Sequence, residues 1–368
     1  MEYGSSLAHY WLAENLTLAG KLREAVPHYT QYFYLTRLLG ADEPMDEKYG
    51  LSGRCSLNFV SSEKLRHDIE QFQYLIDERK LDADMKEFVM EEKAKYEELI
   101  PLMPDPQTIS RFLDESERPP SFGRAVHMVD LPKLKGPPVN PDLDLAQIEA
   151  EYSRGGAGKE MVFFDNFLTE EALQQLRRFC LGSTIWYDVN QNGKHGSYVG
   201  AYLDMGFLPD VVVSIGEELR KRLPNIFQEH ILKGVWAYKY ASSSDPEADA
   251  SGIAIHADPA AVNVNFWITE DDANLDPTSG GLVVYKTGAP LDQVAFDDFN
   301  NCGKVCRRRL EETGYSNMTV PYRSNRIVIF NSNLYHKTDR FQFKQGYKKR
   351  RINITFLFGF RQGAQAGS

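Results

Sequence analysis

The chain reads as an α+β protein of two unlike halves, and three observations carry that reading. Residues 5 to 100 place apolar side chains at helical spacing, interrupted by glycine. Residues 101–158 change composition, with Pro104, Pro106, Pro119, Pro120, Pro137, Pro138 and Pro141 ruling out long regular elements and Gly155-Gly156-Ala157-Gly158 closing the stretch. Beyond it, short segments alternate polar and apolar residues with the period of two expected of a half-buried strand. A length of 368 residues with 42% hydrophobic content is ample for two buried cores. The expected division is a helical domain over 1–100, a Pro/Gly-rich linker over 101–158 and a strand-rich domain over 159–362.

Leu7 to Leu16 is amphipathic and is broken at Gly20, and Lys21 to Tyr29 starts a second helix. A helix, a glycine turn and a helix, with small Ala25 and large Tyr29 four apart, resembles one tetratricopeptide unit. No clean second copy follows, but a further helix pair is expected at about Ser62–Arg79 and Asp84–Leu99, with Asp84 and Glu87 as a capping box for the latter. Isolated repeats cannot bury their apolar faces, so the pairs must stack on each other or on the second half. Such helices serve either as a docking surface for a peptide or protein, or as a buttress or dimer face. The charged run Glu91–Glu98 reads as a solvated helix face.

In the second half, Met161 to Leu168 is an opening strand. Thr169 caps the helix after it, with Leu168 and Leu173 as a hydrophobic staple. Another helix over about Pro209–Leu223 should lie beside it, both covering the outer face of a sheet. The Gly-spaced aromatics of Lys194 to Tyr202 form either a mobile substrate loop or a hairpin packing its tyrosines on the core. His195 within it is not read as a ligand. Val235 to Tyr240 puts Trp236, Tyr238 and Tyr240 on one strand face. In the next strand Asn263, Asn265 and Trp267 share a face opposite Val262, Val264, Phe266 and Ile268. Buried amides are costly unless paired, so ligand or ordered water is expected beside them. Gly280-Gly281 allows a tight turn into Leu282–Tyr285, Ala289–Thr319 is an insertion of helical character, and Arg326–Phe330 is a further strand.

Within this frame lies Gly252-Ile253-Ala254-Ile255-His256-Ala257-Asp258-Pro259. As a strand it projects His256 and Asp258 from one face and Ile255 and Ala257 from the other. An imidazole and a carboxylate side by side hold two positions of an octahedral metal, and His336 is the best third ligand. Two histidines and one carboxylate leave three positions open, an arrangement suited to Fe(II) and O₂. Fifteen residues after His336, Arg351 opens a strand in which Arg351, Asn353 and Thr355 share a polar face. An inward guanidinium there matches a carboxylate of a small diacid.

From Phe163 to Phe360 these residues, in this order, resemble the catalytic domain of the iron- and 2-oxoglutarate-dependent dioxygenases, in the prolyl 4-hydroxylase and phytanoyl-CoA hydroxylase branches, with their motif HxD…H…Rx(S/N/A). The resemblance implies a double-stranded β-helix, a jelly-roll related to cupins, flanked by helices. It implies Fe(II) held by His256, Asp258 and His336, with 2-oxoglutarate held through its distal carboxylate by Arg351. Tyr240 and Thr355 would help, and Asn353, Asn263, Asn265 and Trp267 would line the cavity. O₂ is the oxidant and ascorbate a candidate reductant. The implied reaction couples decarboxylation of 2-oxoglutarate to hydroxylation of a C–H bond, on a peptide or protein side chain or, alternatively, a polar small molecule. The spacing from His336 to Arg351 is longer than usual in the family, which leaves Arg350 as an alternative, although strand parity favours Arg351. Asp258 separates the chain from related halogenases, which carry Ala or Gly there.

Two other classes remain. A cupin-type metalloenzyme independent of 2-oxoglutarate would not need Arg351, and a non-catalytic helical scaffold would tolerate loss of the ligands, yet all three are present. Net charge of −10 and a pI near 5.4 argue against a nucleic-acid partner. Lys348-Lys349-Arg350-Arg351 resembles a nuclear-localisation tract only superficially, because Arg351 begins an alternating strand. No apolar stretch is long enough for a membrane span, and the first residues lack the pattern of a secretory signal. Cys55, Cys180, Cys302 and Cys306 are expected to be free thiols in a cytoplasmic protein. A homo-oligomer through the helical region stays open.

Overall fold

Period-two alternation in the second half becomes two antiparallel sheets. The structure is a computed structural model that describes residues 3–38, 59–79, 81–103, 111–189, 198–241, 252–292 and 295–361. The larger sheet contains β3 (Met161–Phe164), β4 (Asp188–Val189), β5 (Tyr198–Tyr202), β6 (Leu232–Tyr240), β7 (Val262–Trp267), β10 (Ile327–Asn331) and β12 (Ile352–Phe358), in the spatial order β3-β10-β7-β12-β6-β5-β4. The smaller contains β8 (Leu282–Gly288), β9 (Asn317–Val320) and β11 (Leu334–Thr338), in the order β11-β8-β9. β1 (Phe59–Val60) and β2 (Arg111–Phe112) form a separate two-stranded pair.

The two faces of the large sheet have different jobs. Its inner side chains, among them Tyr238, Tyr240, Trp267, Val328 and Phe330, pack against Leu282, Val284, Val320 and Leu334 of the small sheet. Its outer side chains, such as Val264, Phe266, Ile329, Ile354 and Phe356, form the main core with two helices, α6 (Glu170–Gly182) and α7 (Asp210–Arg222). Leu176 and Phe179 of α6 and Val212, Ile215 and Leu219 of α7 are buried there. As expected, Thr169 caps α6 by accepting from the Ala172 N–H, and both helices cover the outer face.

The N-terminal helices are α1 (Tyr3–Leu18), α2 (Leu22–Phe33), α3 (Ser62–Glu78) and α4 (Ala83–Leu99). Each pair docks separately on the sheet-bearing part of the chain. Ala13, Ala25, Tyr29 and Phe33 of the first pair belong to the same core as α6, α7 and the large sheet. The second pair has its own core of Leu65, Phe72, Leu75, Val89 and Tyr96, and α3 lies against β5 and α6. Helix α4 begins two residues earlier than the capping-box reading requires. Asp82, not Asp84, is its cap, with its carboxylate accepting from the Met85 N–H at 2.8 Å.

Other expectations are modified. Within the proline-rich stretch, α5 (Leu145–Ser153) forms in the proline-free window after Pro141, capped by Asp144. Tyr198–Tyr202 is strand, not loop. Tyr198 stacks on Tyr238 with ring centroids 4.2 Å apart, so the hairpin that packs its tyrosines is the alternative realised. Lys194 to Ser197, including His195, and Cys55 lie outside the described residues. Beyond the short helix α8 (Pro224–Phe227), the insertion after β8 does carry helices, α9 (Phe296–Asn300) and α10 (Lys304–Glu312), which cover the back of the small sheet. The four-thiol expectation is corrected here. The turn between these helices brings the Cα atoms of Cys302 and Cys306 to 5.1 Å and the two are disulfide-bonded, while Cys180 is a buried free thiol. The free-thiol argument for a reducing compartment therefore lapses. Among the described residues no helix is long and apolar enough to cross a membrane.

Because the first hairpin shares the main core, Phe33→Ala should destabilise the sheet-bearing part together with the hairpin, by about 3–5 kcal/mol. Thermal unfolding followed by far- and near-ultraviolet circular dichroism should stay a single transition at lower temperature. A separate early loss of helix alone would contradict a shared core.

Candidate active site

Two backbone hydrogen bonds assemble the centre. The His256 N–H donates to the His336 carbonyl at 3.0 Å and the His336 N–H returns one to His256 at 2.8 Å, a single antiparallel bridge at the edge of the small sheet. The segment around His256 is thus not the regular strand its alternation implied. Among the described residues it forms this one bridge, supplemented by Asp258 N–H to the Ser332 carbonyl at 3.1 Å and Thr338 N–H to the Ile253 carbonyl at 3.0 Å. The alternation itself survives. Ile255 and Ala257 turn back toward Phe299 and Cys306 of the insertion, and His256 and Asp258 turn toward His336. Phe299 accepts from the Ala257 N–H and the Asn300 amide donates to the Ala257 carbonyl, so the residue between His256 and Asp258 is pinned from behind.

One nitrogen or oxygen from each of His256, Asp258 and His336 falls within 4.8 Å of the others. The Nε2 atoms of His256 and His336 lie 3.7 and 3.3 Å from the Asp258 carboxylate. Each Nδ1 is committed elsewhere, to the Ala254 carbonyl at 2.7 Å and the Leu334 carbonyl at 2.9 Å. Since a carbonyl only accepts, both Nδ1 atoms carry the proton and both Nε2 atoms keep a lone pair for a cation. Burial alone would raise the Asp258 carboxyl. The adjoining His336 and His256 imidazoles, when protonated, and the Asn263 amide more than offset it and hold Asp258 below the usual carboxylate range. His256 keeps 11% of its side chain exposed, making it the most accessible of the three.

The amides expected to need ligand or water satisfy one another instead. The Asn263 amide donates to Asp258, Asn265 donates to the Asn263 carbonyl oxygen at 2.6 Å, and both Asn353 Nδ2 and Thr355 Oγ1 donate to the Asn265 oxygen at 2.9 Å. An ionised carboxylate only accepts, so Asn263 must present its NH₂, and every amide behind it is oriented in turn. This chain runs across β7 and β12, where Thr355 is the register partner of Asn265, and it occupies one oxygen of Asp258.

Arg351 points between the sheets and is 2% exposed. Its Nε donates to the Gly280 carbonyl at 2.7 Å and its Nη2 to the Gly281 carbonyl at 3.0 Å, while Nη1 is buried without a partner. The guanidinium lies over the rings of Tyr240, Phe341 and Trp267 at 4.8, 5.5 and 5.7 Å, and the Trp267 indole N–H is also buried without a partner. Burial pulls the guanidinium below its ordinary value and pushes the Tyr240 phenol up. Tyr240 also meets Thr338 Oγ1 at 3.5 Å. Arg350 turns the other way, to Glu63 and Glu70 of α3. Sequence reasoning missed the Gly280 and Gly281 carbonyls, and also Thr338 and Phe341. Backbone acceptors leave no signal in residue type, and an aromatic such as Phe341 reads as ordinary core. The structure therefore holds both a donor set suited to a cation and a buried guanidinium with one free N–H edge.

No protein-family model and no curated protein matches the chain. Solved structures do. A prolyl-4-hydroxylase from Pseudomonas putida is 15% identical, with 59% of this chain and 98% of that chain covered at a TM-score of 0.36. SnoK, a non-heme alpha-ketoglutarate-dependent carbocyclase of nogalamycin biosynthesis, is 14% identical over 63% of this chain and 92% of its own, at 0.40. HygX from Streptomyces hygroscopicus, solved with nickel and 2-oxoglutarate bound, is 12% identical over 54% and 82%, at 0.37. Likeness of this size carries no argument about function, which has to come from the site itself.

If the amide chain orients Asp258, Asn263→Ala should weaken metal binding about 10- to 100-fold. Equilibrium dialysis with Fe(II) under argon, or with Mn(II), measures it. Unchanged affinity in a folded variant would reduce the chain to core packing.

Proposed function

We propose that this chain is an Fe(II)- and 2-oxoglutarate-dependent oxygenase that hydroxylates a C–H bond, with residues 159–362 as its catalytic region. The two sheets are read as a double-stranded β-helix with the metal at one end. The observation that carries the reading is the pairing of two features: three converging ligands whose histidine tautomers are already set, and a buried guanidinium with an unpaired Nη1. The first alone fits many metalloenzymes. The second is costly unless an anion completes it, and so separates this reading from a metalloenzyme without a diacid co-substrate.

The residues present fit the group. Fe(II) held by His256 Nε2, His336 Nε2 and Asp258 would supply activation of O₂ coupled to conversion of 2-oxoglutarate to succinate and CO₂. Everything else is the work of the chain. Arg351 Nη1 donates to the distal carboxylate of the co-substrate, while Gly280 and Gly281 fix the plane of the guanidinium and Tyr240 supports its face. The Trp267 N–H is a second donor available to the same ligand, and Thr355 and Asn353 border it. Asn263 keeps one oxygen of Asp258 occupied, which favours a carboxylate that ligates through a single oxygen and leaves positions open for co-substrate and O₂. The packed aromatic core between the sheets excludes water from the reacting centre.

For the substrate we favour a peptide or protein side chain. Tyr198, Tyr202, Trp236 and Tyr238 continue the inner face of the large sheet outward through β6 and β5, with the Tyr202 and Tyr238 hydroxyls 2.6 Å apart. A wall of rings that also offers hydroxyls suits an extended chain with polar backbone. The same hydroxyls favour a polar small molecule as the second reading.

His256→Ala or Asp258→Ala should abolish Fe(II) binding while the fold survives. Arg351→Ala should leave iron affinity near normal and weaken 2-oxoglutarate binding about 30- to several-thousand-fold, the effect of losing a charge-assisted pair to a buried carboxylate. Metal analysis and the visible absorption band that forms when 2-oxoglutarate chelates Fe(II) read the two effects separately. Substrate is sought by succinate release with peptide and metabolite pools, and by mass spectrometry for one added oxygen. Full iron occupancy in the ligand variants, or unaltered co-substrate binding without Arg351, would overturn the assignment.

A further inference from the structure

Arg350 and Arg351 are neighbours with opposite fates. The first is held outside the large sheet by a helix more than 270 residues earlier in the chain, and the second faces the candidate site. The holding is extensive. Along α3, Glu63, His67, Glu70, Tyr74 and Glu78 recur at helical spacing and form one stripe. That stripe lies on the turn Tyr347–Lys349, which immediately precedes Arg350 and β12. Arg350 forks between Glu63 and Glu70, Lys348 donates to Glu78 at 2.6 Å, and the Tyr347 ring sits 5.7 Å from His67 and 5.3 Å from Tyr74. Beneath the contact, Lys239 on the outer face of β6 is fully buried and donates to the Tyr347 hydroxyl at 2.8 Å. The basic tract Lys348 to Arg351 is thus consumed internally. The long connection from β11 to β12 supplies the turn that reaches α3.

We propose that α3 is a positioning element for the co-substrate site. By clamping Arg350, Glu63 and Glu70 fix the backbone from which Arg351 reaches the Gly280 and Gly281 carbonyls, and so set the affinity for 2-oxoglutarate. This rests on the reading that Arg351 receives the distal carboxylate. Among the described residues the guanidinium of Arg351 donates to two backbone carbonyls and otherwise lies against aromatic rings, so its place depends on where residues 350–352 run. On the sheet side, Thr269 Oγ1 donates to the Arg350 carbonyl at 2.8 Å and accepts from the Ile352 N–H at 2.9 Å. On the opposite side the clamp is α3. A shift of α3 moves Arg350 and, through the backbone the two residues share, the point from which Arg351 projects to the opposite face. The N-terminal helical region would thereby couple to catalysis without touching a reactant.

The test uses the full chain. Glu63→Gln/Glu70→Gln should raise the 2-oxoglutarate dissociation constant and KM about 3- to 30-fold, with metal affinity and kcat at saturating co-substrate unchanged. Arg350→Lys, which keeps a cation for both carboxylates, should retain most of the affinity. Glu70 is 37% exposed in its side chain, so Glu70→Gln alone serves if the double variant fails to fold, with a smaller shift in the same direction. Arg351→Lys is measured in parallel. If it weakens co-substrate binding while the α3 variants do not, positioning by α3 is overturned and the assignment of Arg351 stands. If Arg351→Lys has no effect, the assignment falls and this proposal with it. A change in kcat or melting temperature with an unaltered KM would mark α3 as a buttress only.

Discussion

A buried carboxylate has to be satisfied from one side before it can serve a metal on the other. Asp258 accepts from Asn263, and because an ionised carboxylate donates nothing, the hydrogen-bond polarity of the whole amide chain follows from it. Asn263, Asn265, Asn353 and Thr355 are therefore not interchangeable polar fillers. Each presents a donor toward Asp258 and an acceptor away from it, across two neighbouring strands. Packing so many amides between sheets is tolerable only when the set closes, and it closes on Asp258.

The same logic of completion applies to Arg351. Two carbonyls at a glycine turn take two of its donors, aromatic rings cover its face, and one N–H edge is left over. Gly281 is required at this turn because a Cβ there would sit 1.9 Å from the Val320 carbonyl oxygen. Close approach of backbone, and not flexibility, is what the glycine provides. The result is a cation oriented before any anion arrives, which lowers the ordering cost of binding.

Around this centre the remaining elements act as supports from outside. The insertion carrying α9 and α10 pins Ala257 behind His256 and Asp258, with its turn closed by the Cys302–Cys306 disulfide. Helices α6 and α7, with the first N-terminal hairpin, press on the outer face of the large sheet. Helix α3 grips the turn before β12. Lys239 shows how tightly that outer contact is sealed. Burial drives its ammonium well below the ordinary lysine value, and its acceptors are the Cys180 carbonyl and the Tyr347 hydroxyl, with the Trp186 ring 4.1 Å away.

The sequence by itself determined the parity of the strands. Period-two alternation put His256 with Asp258, Asn263 with Asn265 and Trp267, and Arg351 with Asn353 and Thr355, and each group does share a face, because the alternation of side chains is a property of the extended backbone alone. It also determined the helices whose apolar stripes and caps are local, such as α6 with Thr169. What sequence could not reach depended on partners distant along the chain. The regular strand read at His256 shrank to one bridge, since pairing depends on which neighbour is available. The choice between Arg350 and Arg351, open in sequence, became a pair of opposite contacts once Glu63, Glu70 and two glycine carbonyls were in place. The disulfide needed a turn to bring Cys302 to Cys306, and the amides needed one another to close. Local pattern decides which way a side chain faces, and only tertiary structure decides what it meets there.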